Sequence, residues 1–98
     1  MNISSEFNEN EAILHIDGRL DTVTAPDLDK YILSIPGDIK SVILDLEKLE
    51  YISSAGLRSI LVIYKRMHFF KGTFKVININ ERIKFAFEIS GLLEMLTK

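Results

Sequence analysis

The amino-acid sequence predicts an α/β protein with a mixed, mostly parallel four-stranded sheet, an N-terminal antiparallel hairpin and crossover helices. Three observations lead to this fold class. Two segments of strand length lie close together near the N-terminus, apolar runs recur at 41–46 and 73–77, and helical patterns separate and follow those runs. A helix between two strands returns the chain to the starting edge of the sheet, so the strands it joins are parallel.

The N-terminal hairpin is expected to comprise residues 2–7 and 12–16. The intervening Asn-Glu-Asn sequence is typical of a turn, because asparagine tolerates the backbone conformations that tight turns need. Strands joined by so short a turn pair antiparallel. Asp17-Gly18 is expected to end the second strand.

A first helix is predicted over residues 24–35. Thr24 is the expected N-cap, and Pro26 falls in the first turn, where its missing N–H group costs nothing. Leu28 and Ile32 lie one turn apart and mark the face that packs inward. A Pro-Gly pair then ends the helical pattern.

The run at 41–46 is apolar at consecutive positions, as in a central strand covered on both faces. Residues 47–53 are expected to form a connecting loop with Leu49 and Ile52 turned inward. A second helix follows over residues 54–70. Its inward stripe comprises Leu57, Ile60, Leu61, Tyr64 and Met67.

A fourth strand is predicted at 73–77 and a third helix after Asn80, which is the expected N-cap. Ser90-Gly91 is expected to end that helix. Residues 92–96 then close the chain as a short helical or extended tail.

Composition excludes several classes of function. The chain has 98 residues, a length suited to one domain, and no cysteine, which rules out disulfides and thiol nucleophiles. Its two histidines, His15 and His68, are too few for a typical zinc site. The net charge of −2 lacks the basic excess of a nucleic-acid-binding domain.

The N-terminal segment is polar and acidic, unlike a signal peptide, and no apolar run approaches the roughly 20 residues that span a bilayer. We therefore expect a cytoplasmic protein with no membrane span and no cofactor.

Serine catalysis would need a histidine base close to the serine. His15 lies within a strand, and about 20 Å of helix separates His68 from Ser54, which is too far for a hydrogen bond. The sequence contains no phosphate-binding loop, nucleophile elbow or zinc-protease motif. We therefore expect a protein that is not an enzyme.

The segment Ser53-Ser54-Ala55-Gly56-Leu57 begins the second helix with small side chains. Gly56 costs about 1 kcal/mol of helix propensity relative to alanine, which is consistent with close approach by another molecule. A phosphoryl group here would meet free N–H groups and the positive end of the helix dipole. Spacing alone leaves Ser54 open to two roles, a structural helix cap or a functional hydroxyl.

Three stretches together resemble one known family. Residues 42–46, Leu49 and residues 51–58 look like the signature of the STAS domain found in bacterial anti-sigma factor antagonists. Residues 17–22 and 24–25 resemble that family's second-strand exit and first helix, and residues 89–92 resemble the segment after its third helix. The resemblance covers nearly the whole chain and implies a single STAS domain over residues 1–98.

The resemblance implies a switch protein. In that family an antagonist binds an ATP-dependent anti-sigma factor serine kinase and displaces the sigma factor. The kinase phosphorylates a serine at the start of the second helix, and a metal-dependent serine phosphatase removes the phosphate. Matching the motif places the phosphoacceptor at Ser54. The partner-binding residues implied around it are Asp21, Thr22, Ser53, Gly56 and Arg58, in a protein expected to be a monomer.

This sequence departs from the family at two places. Ser53 stands where well-studied members have aspartate, which makes Ser53 a rival phosphoacceptor. The chain also ends at Lys98, short of the family's usual last strand and helix, so an exposed sheet edge or groove is expected.

Two other functions stay open. One is an unphosphorylated STAS scaffold subunit of a signalling or transport assembly. The other is a nucleotide-binding module that holds phosphate with the N–H groups of Ala55 and Gly56.

Overall fold

Five strands and three helices follow one another along residues 1–91, which are the residues that the computed structural model describes. The expected tail at 92–96 lies outside them. The elements are β1 (Asn2–Asn8), β2 (Glu11–Leu20), α1 (Ala25–Leu33), β3 (Ser41–Asp45), β4 (Leu49–Ile52), α2 (Ser54–Phe69), β5 (Thr73–Ile77) and α3 (Glu81–Ser90).

The sheet has the order β1-β2-β3-β5. β1 and β2 form the predicted antiparallel hairpin, while β3 pairs parallel with β2 on one side and with β5 on the other. The predicted α/β class, the hairpin and the crossover helices are therefore confirmed. No helix within residues 1–91 is long and apolar enough to cross a membrane.

The sheet contains a fifth strand that was predicted to be a loop. β4 pairs parallel with the last residues of β2, although Asp17-Gly18 was expected to end β2. Gly18 instead adopts a positive φ of 103° at a register shift, and the strand continues to Leu20. A left-handed glycine is a common way to build such a bulge. Leu49 and Ile52 are buried, as predicted.

Alternation along β2 and β3 separates a buried face of the sheet from a more open one. The buried side chains of these strands pack with those of the helices, and Phe87 of α3 and Ile60 of α2 are fully buried. The more open face carries His15 and Asp45, which are half-buried. The buried residues of the two strands include Ala12, Leu14, Ile16, Val42 and Leu44.

Candidate protein-interaction site

The start of α2 is tied directly to the end of β2. The backbone N–H of Ser53 donates to the carbonyl of Leu20 at 3.0 Å, across the pairing of β4 with β2. Ser54 follows Ser53, and Asp21 follows Leu20. The structure thereby brings together the β2–α1 turn and the first turn of α2, which are more than 30 residues apart in sequence.

Ser53 caps α2. Its backbone is extended (φ −101°, ψ 176°), and its Oγ accepts a hydrogen bond from the N–H of Gly56 at 3.4 Å. This is the usual duty of an N-cap serine, because the first N–H groups of a helix have no carbonyl partner within the helix. The hydroxyl of Ser53 is therefore engaged and half-buried.

Ser54 is the first residue of α2, and its side chain is exposed. Its hydroxyl makes no hydrogen bond to any residue in the described part of the chain. The positive end of the helix dipole stabilises negative charge at this position. Of the two neighbouring serines, Ser54 is the one that an external reagent can reach without breaking a cap.

Gly56 is buried, which corrects the interpretation that it leaves the backbone open to a partner. A Cβ atom at this position would lie 2.8 Å from the carbonyl oxygen of Leu20 and 2.8 Å from side-chain carbons of Leu20 and Ile52. Glycine is needed because α2 approaches β2 and β4 too closely for a side chain. Gly56 therefore lies beneath the site, where it permits close packing. It is not part of the exposed surface that was predicted to contact a partner.

The β2–α1 turn is closed by hydrogen bonds and presents Asp21 and Thr22. The Asp21 carboxylate accepts hydrogen bonds from the backbone N–H groups of Val23 at 3.0 Å and Thr24 at 3.1 Å. The bond from the Thr24 N–H lowers the pKa of Asp21, so this side chain is anionic at neutral pH. Thr22 is exposed beside it.

Thr24 is the N-cap of α1 by position, as predicted, but its hydroxyl does not cap the helix. It donates to the carbonyl of Arg19 at 2.9 Å and accepts from the backbone N–H of Asp21 at 2.8 Å. The hydroxyl is thus used to close the β2–α1 turn.

Arg19 and Tyr51 form part of the site and were not singled out from the sequence. They are direct neighbours in the pairing of β2 with β4, and the Arg19 guanidinium lies 4.2 Å from the centre of the Tyr51 ring. The Arg19 Nε also lies 3.7 Å from a carboxylate oxygen of Asp21. Tyr51 was predicted to lie in a loop, so no strand partner was assigned to it. Its pairing with Arg19 was therefore missed.

Arg58 is exposed one turn after Ser54. It forms no ion pair within residues 1–91 and is available to an anion. Leu57 is half-buried and packs on the core, as predicted.

Neither histidine can serve Ser54 as a base. Both ring nitrogens of His15 contact carboxylate oxygens, Nδ1 with Asp45 at 2.9 Å and Nε2 with Glu6 at 2.6 Å. His68 lies 14 residues along α2 from Ser54, about 20 Å away at 1.5 Å per residue, and its ring stacks on Tyr64.

The comparison with known protein families decides what kind of domain this is. The STAS domain matches residues 2–98. The chain belongs to the STAS domain family. Membership agrees with the predicted resemblance and with the strand order and helix placement described above.

Individual STAS relatives carry regulatory names. The anti-sigma-B factor antagonist of Bacillus subtilis is 26% identical over 96 residues, which cover 98% of this chain and 88% of that protein. The BtrV protein of Bordetella bronchiseptica, named provisionally as an anti-sigma factor antagonist, is 39% identical over 56 residues. That match spans 57% of this chain and about half (48%) of BtrV.

A solved structure shares the fold. The Bacillus cell fate determinant SpoIIAA in its phosphorylated form superposes with a TM-score of 0.76 at 19% identity. The superposition covers 93% of this chain and 85% of SpoIIAA.

Proposed function

We propose that this chain is an anti-sigma factor antagonist that binds an anti-sigma factor serine kinase and is released when Ser54 is phosphorylated. The observation that carries the proposal is the exposed, unengaged hydroxyl of Ser54 at the first residue of α2. Membership of the STAS family and the names of the Bacillus subtilis and Bordetella relatives support the general role.

Ser54 is preferred to Ser53 as the phosphoacceptor. A phosphate on Ser53 would esterify the Oγ that caps the Gly56 N–H and would crowd a half-buried position. A phosphate on Ser54 would project from an exposed position into the favourable end of the helix dipole, worth about 0.3–1 kcal/mol. Phosphorylation of Ser54 therefore leaves the cap and the fold intact.

Release follows from charge rather than from unfolding. A phosphoserine adds about −1.5 to −2 of charge at neutral pH. The Ser53–Leu20 hydrogen bond holds the start of α2 against the end of β2. The added charge would therefore lie next to the turn that holds the anionic Asp21. Charge inserted into a contact surface disfavours the complex through repulsion and desolvation. A metal-dependent serine phosphatase would restore binding.

The contact surface proposed for the kinase comprises Asp21, Thr22, Ser53 and Arg58 around Ser54. In this proposal the protein is a cytoplasmic, single-domain monomer that binds partners and catalyses nothing. The carboxylate contacts of both His15 nitrogens and the distance of His68 from Ser54 support a non-catalytic role.

A parallel pull-down from source-cell lysate tests the proposal. Wild-type protein, Ser54→Ala and Ser54→Glu serve as baits, and mass spectrometry identifies the captured proteins. We expect a serine kinase on the first two baits and its loss from Ser54→Glu. Identical partners on all three baits would contradict the switch and favour a constitutive scaffold subunit.

A nucleotide-binding module is disfavoured because one of the two N–H groups it would use, that of Gly56, already donates to Ser53. Calorimetry with ATP and GTP tests this alternative. We expect no binding, and a dissociation constant in the micromolar range would revive the alternative.

A further inference from the structure

A groove of about 370 Å³ runs between α1 and α2. Its walls combine buried and exposed apolar side chains: Ile32 and Ile63 form part of the floor, while Leu33 of α1 and Val62 of α2 are 71% and 54% exposed. Leu33 and Val62 thus offer apolar surface to a partner from opposite sides of one groove.

The α2 wall of this groove is cationic, and the α1 wall contributes one carboxylate, Asp29. Arg58 and Arg66 line it on either side of Val62, four residues away in each direction, so the three share one face of the helix. Neither arginine forms an ion pair with a residue in the described range 1–91. Two unpaired guanidinium groups beside an apolar strip complement a partner that carries carboxylates next to apolar side chains.

We propose that the α1–α2 groove receives an acidic amphipathic helix of the kinase partner. The proposal rests on the proposed function and adds the shape and charge of the segment that binds. The lining residues of α2 from Ala55 to Arg66 extend over roughly 16 Å, which accommodates about three turns of helix. The apolar face of that helix contacts Leu33 and Val62, and its carboxylates pair with Arg58 and Arg66.

The groove is continuous with the surface that carries Ser54. Thr22 and Ala55 line its upper end, and Ala55 is the residue after Ser54. Arg58 lies four residues after Ser54, the spacing at which opposite charges pair on a helix. A phosphate on Ser54 therefore competes with the partner's carboxylate for Arg58. Phosphorylation thus removes an attractive contact in addition to adding repulsion.

Site-specific cross-linking tests where the partner sits. Because the chain has no cysteine, Val62→Cys introduces a single thiol for a benzophenone-maleimide probe. The probe is used with the kinase captured by the wild-type protein, and Lys75→Cys, exposed on β5, is the control. We expect the Val62 probe to label one acidic amphipathic segment of the kinase and the Lys75 probe to label none. Labelling of an apolar or basic segment, or equal labelling from both positions, would overturn the proposal.

Affinity measurements test the arginines. We expect Arg58→Gln and Arg66→Gln each to weaken kinase binding about 5-fold or more, because each removes a charge pair at the groove. Lys65→Gln removes the same charge from an exposed position of α2 that does not line the groove, and we expect a change in affinity under about 2-fold.

We also expect phosphorylation to weaken kinase binding by a smaller factor in Arg58→Gln than in the wild type. An equal factor in both proteins would show that Arg58 does not couple the two sites.

Failure of the groove and failure of the switch give different results. Normal kinase affinity in Val62→Asp, together with loss of binding in Ser54→Glu, would reject the groove and keep the proposed function. Retained binding in Ser54→Glu would reject the proposed function itself.

Sedimentation of the wild type and of each variant alone tests whether a second copy of the chain occupies the groove. A wild-type dimer that Val62→Asp dissociates would make a second copy the occupant and overturn the proposal.

Discussion

At the start of α2, two residues stabilise the local structure and a third exposes its hydroxyl group to solvent. Ser53 caps the helix, Gly56 permits close packing on Leu20, and Ser54 remains exposed. The sequence indicated that this segment was special, but it could not distinguish a glycine that opens a surface from one that is buried. That distinction depends on the distance between α2 and the strands beneath it, which only the folded chain sets.

Gly56→Ala tests the close packing. The new Cβ would lie 2.8 Å from a backbone oxygen that cannot move away alone, so we expect a loss of about 1–3 kcal/mol in the free energy of unfolding. Gly37→Ala is the matched control, because a Cβ there meets no atom within 4 Å. Urea denaturation of both variants measures the difference, and equal stabilities would refute the packing role.

His15 makes stability depend on pH. The hydrogen bond to the Glu6 carboxylate, joined by that to Asp45, raises the pKa of His15 above its usual value of 6.5. The folded state therefore binds the proton more tightly than the unfolded state. This stabilisation is full below the unfolded pKa and is lost as pH rises through the higher folded pKa.

We expect the advantage of the wild type over His15→Gln to shrink as the pH rises above about 6.5, the usual pKa of histidine. Urea unfolding at a series of pH values on both sides of 6.5 measures this advantage, alongside an NMR titration of the His15 ring. A difference independent of pH would contradict the role assigned to the two carboxylates.

The sequence predicted the hairpin, all three helices and β5, since each has a clear periodicity or cap. It missed β4 because Leu49–Ile52 is only four residues long and two of its four side chains are exposed. It also ended β2 too early, because Gly18 serves a bulge and does not stop the strand. The contact between Arg19 and Tyr51 was missed because it depends on the pairing of β4 with the end of β2.

The cap of α2 separates its two neighbouring serines. We expect Ser53→Ala to lower the free energy of unfolding by about 1 kcal/mol, because the Gly56 N–H loses its acceptor. Ser54→Ala is expected to change it by less than about 0.5 kcal/mol, since the Ser54 hydroxyl is exposed and unengaged. Thermal and urea unfolding compare the two variants. A larger loss in Ser54→Ala would show that the cap was assigned to the wrong serine.

The whole molecule is organised so that two distant segments meet at one edge. The bulge in β2, the pairing of β4 and the glycine of α2 place the β2–α1 turn beside Ser54. Below this edge, the groove between α1 and α2 extends the surface away from Ser54. Sequence patterns identified most of these residues one by one, but their arrangement depends on strand pairings between distant parts of the chain.

We expect phosphorylation to change binding without changing the fold. Phosphorylated protein is expected to keep the far-ultraviolet circular dichroism of the unmodified protein and to unfold within about 1 kcal/mol of it, because the phosphate is exposed at a helix N-terminus. Loss of helical signal or a much larger destabilisation would show that release proceeds through unfolding.

The most direct test of the phosphorylation switch is a calorimetric titration of the captured kinase with the protein before and after stoichiometric phosphorylation. Mass spectrometry locates the modified residue. We expect phosphate on Ser54 and a dissociation constant at least about 10-fold larger after modification, equivalent to about 1.4 kcal/mol. Phosphate on another residue, or an unchanged dissociation constant, would contradict it.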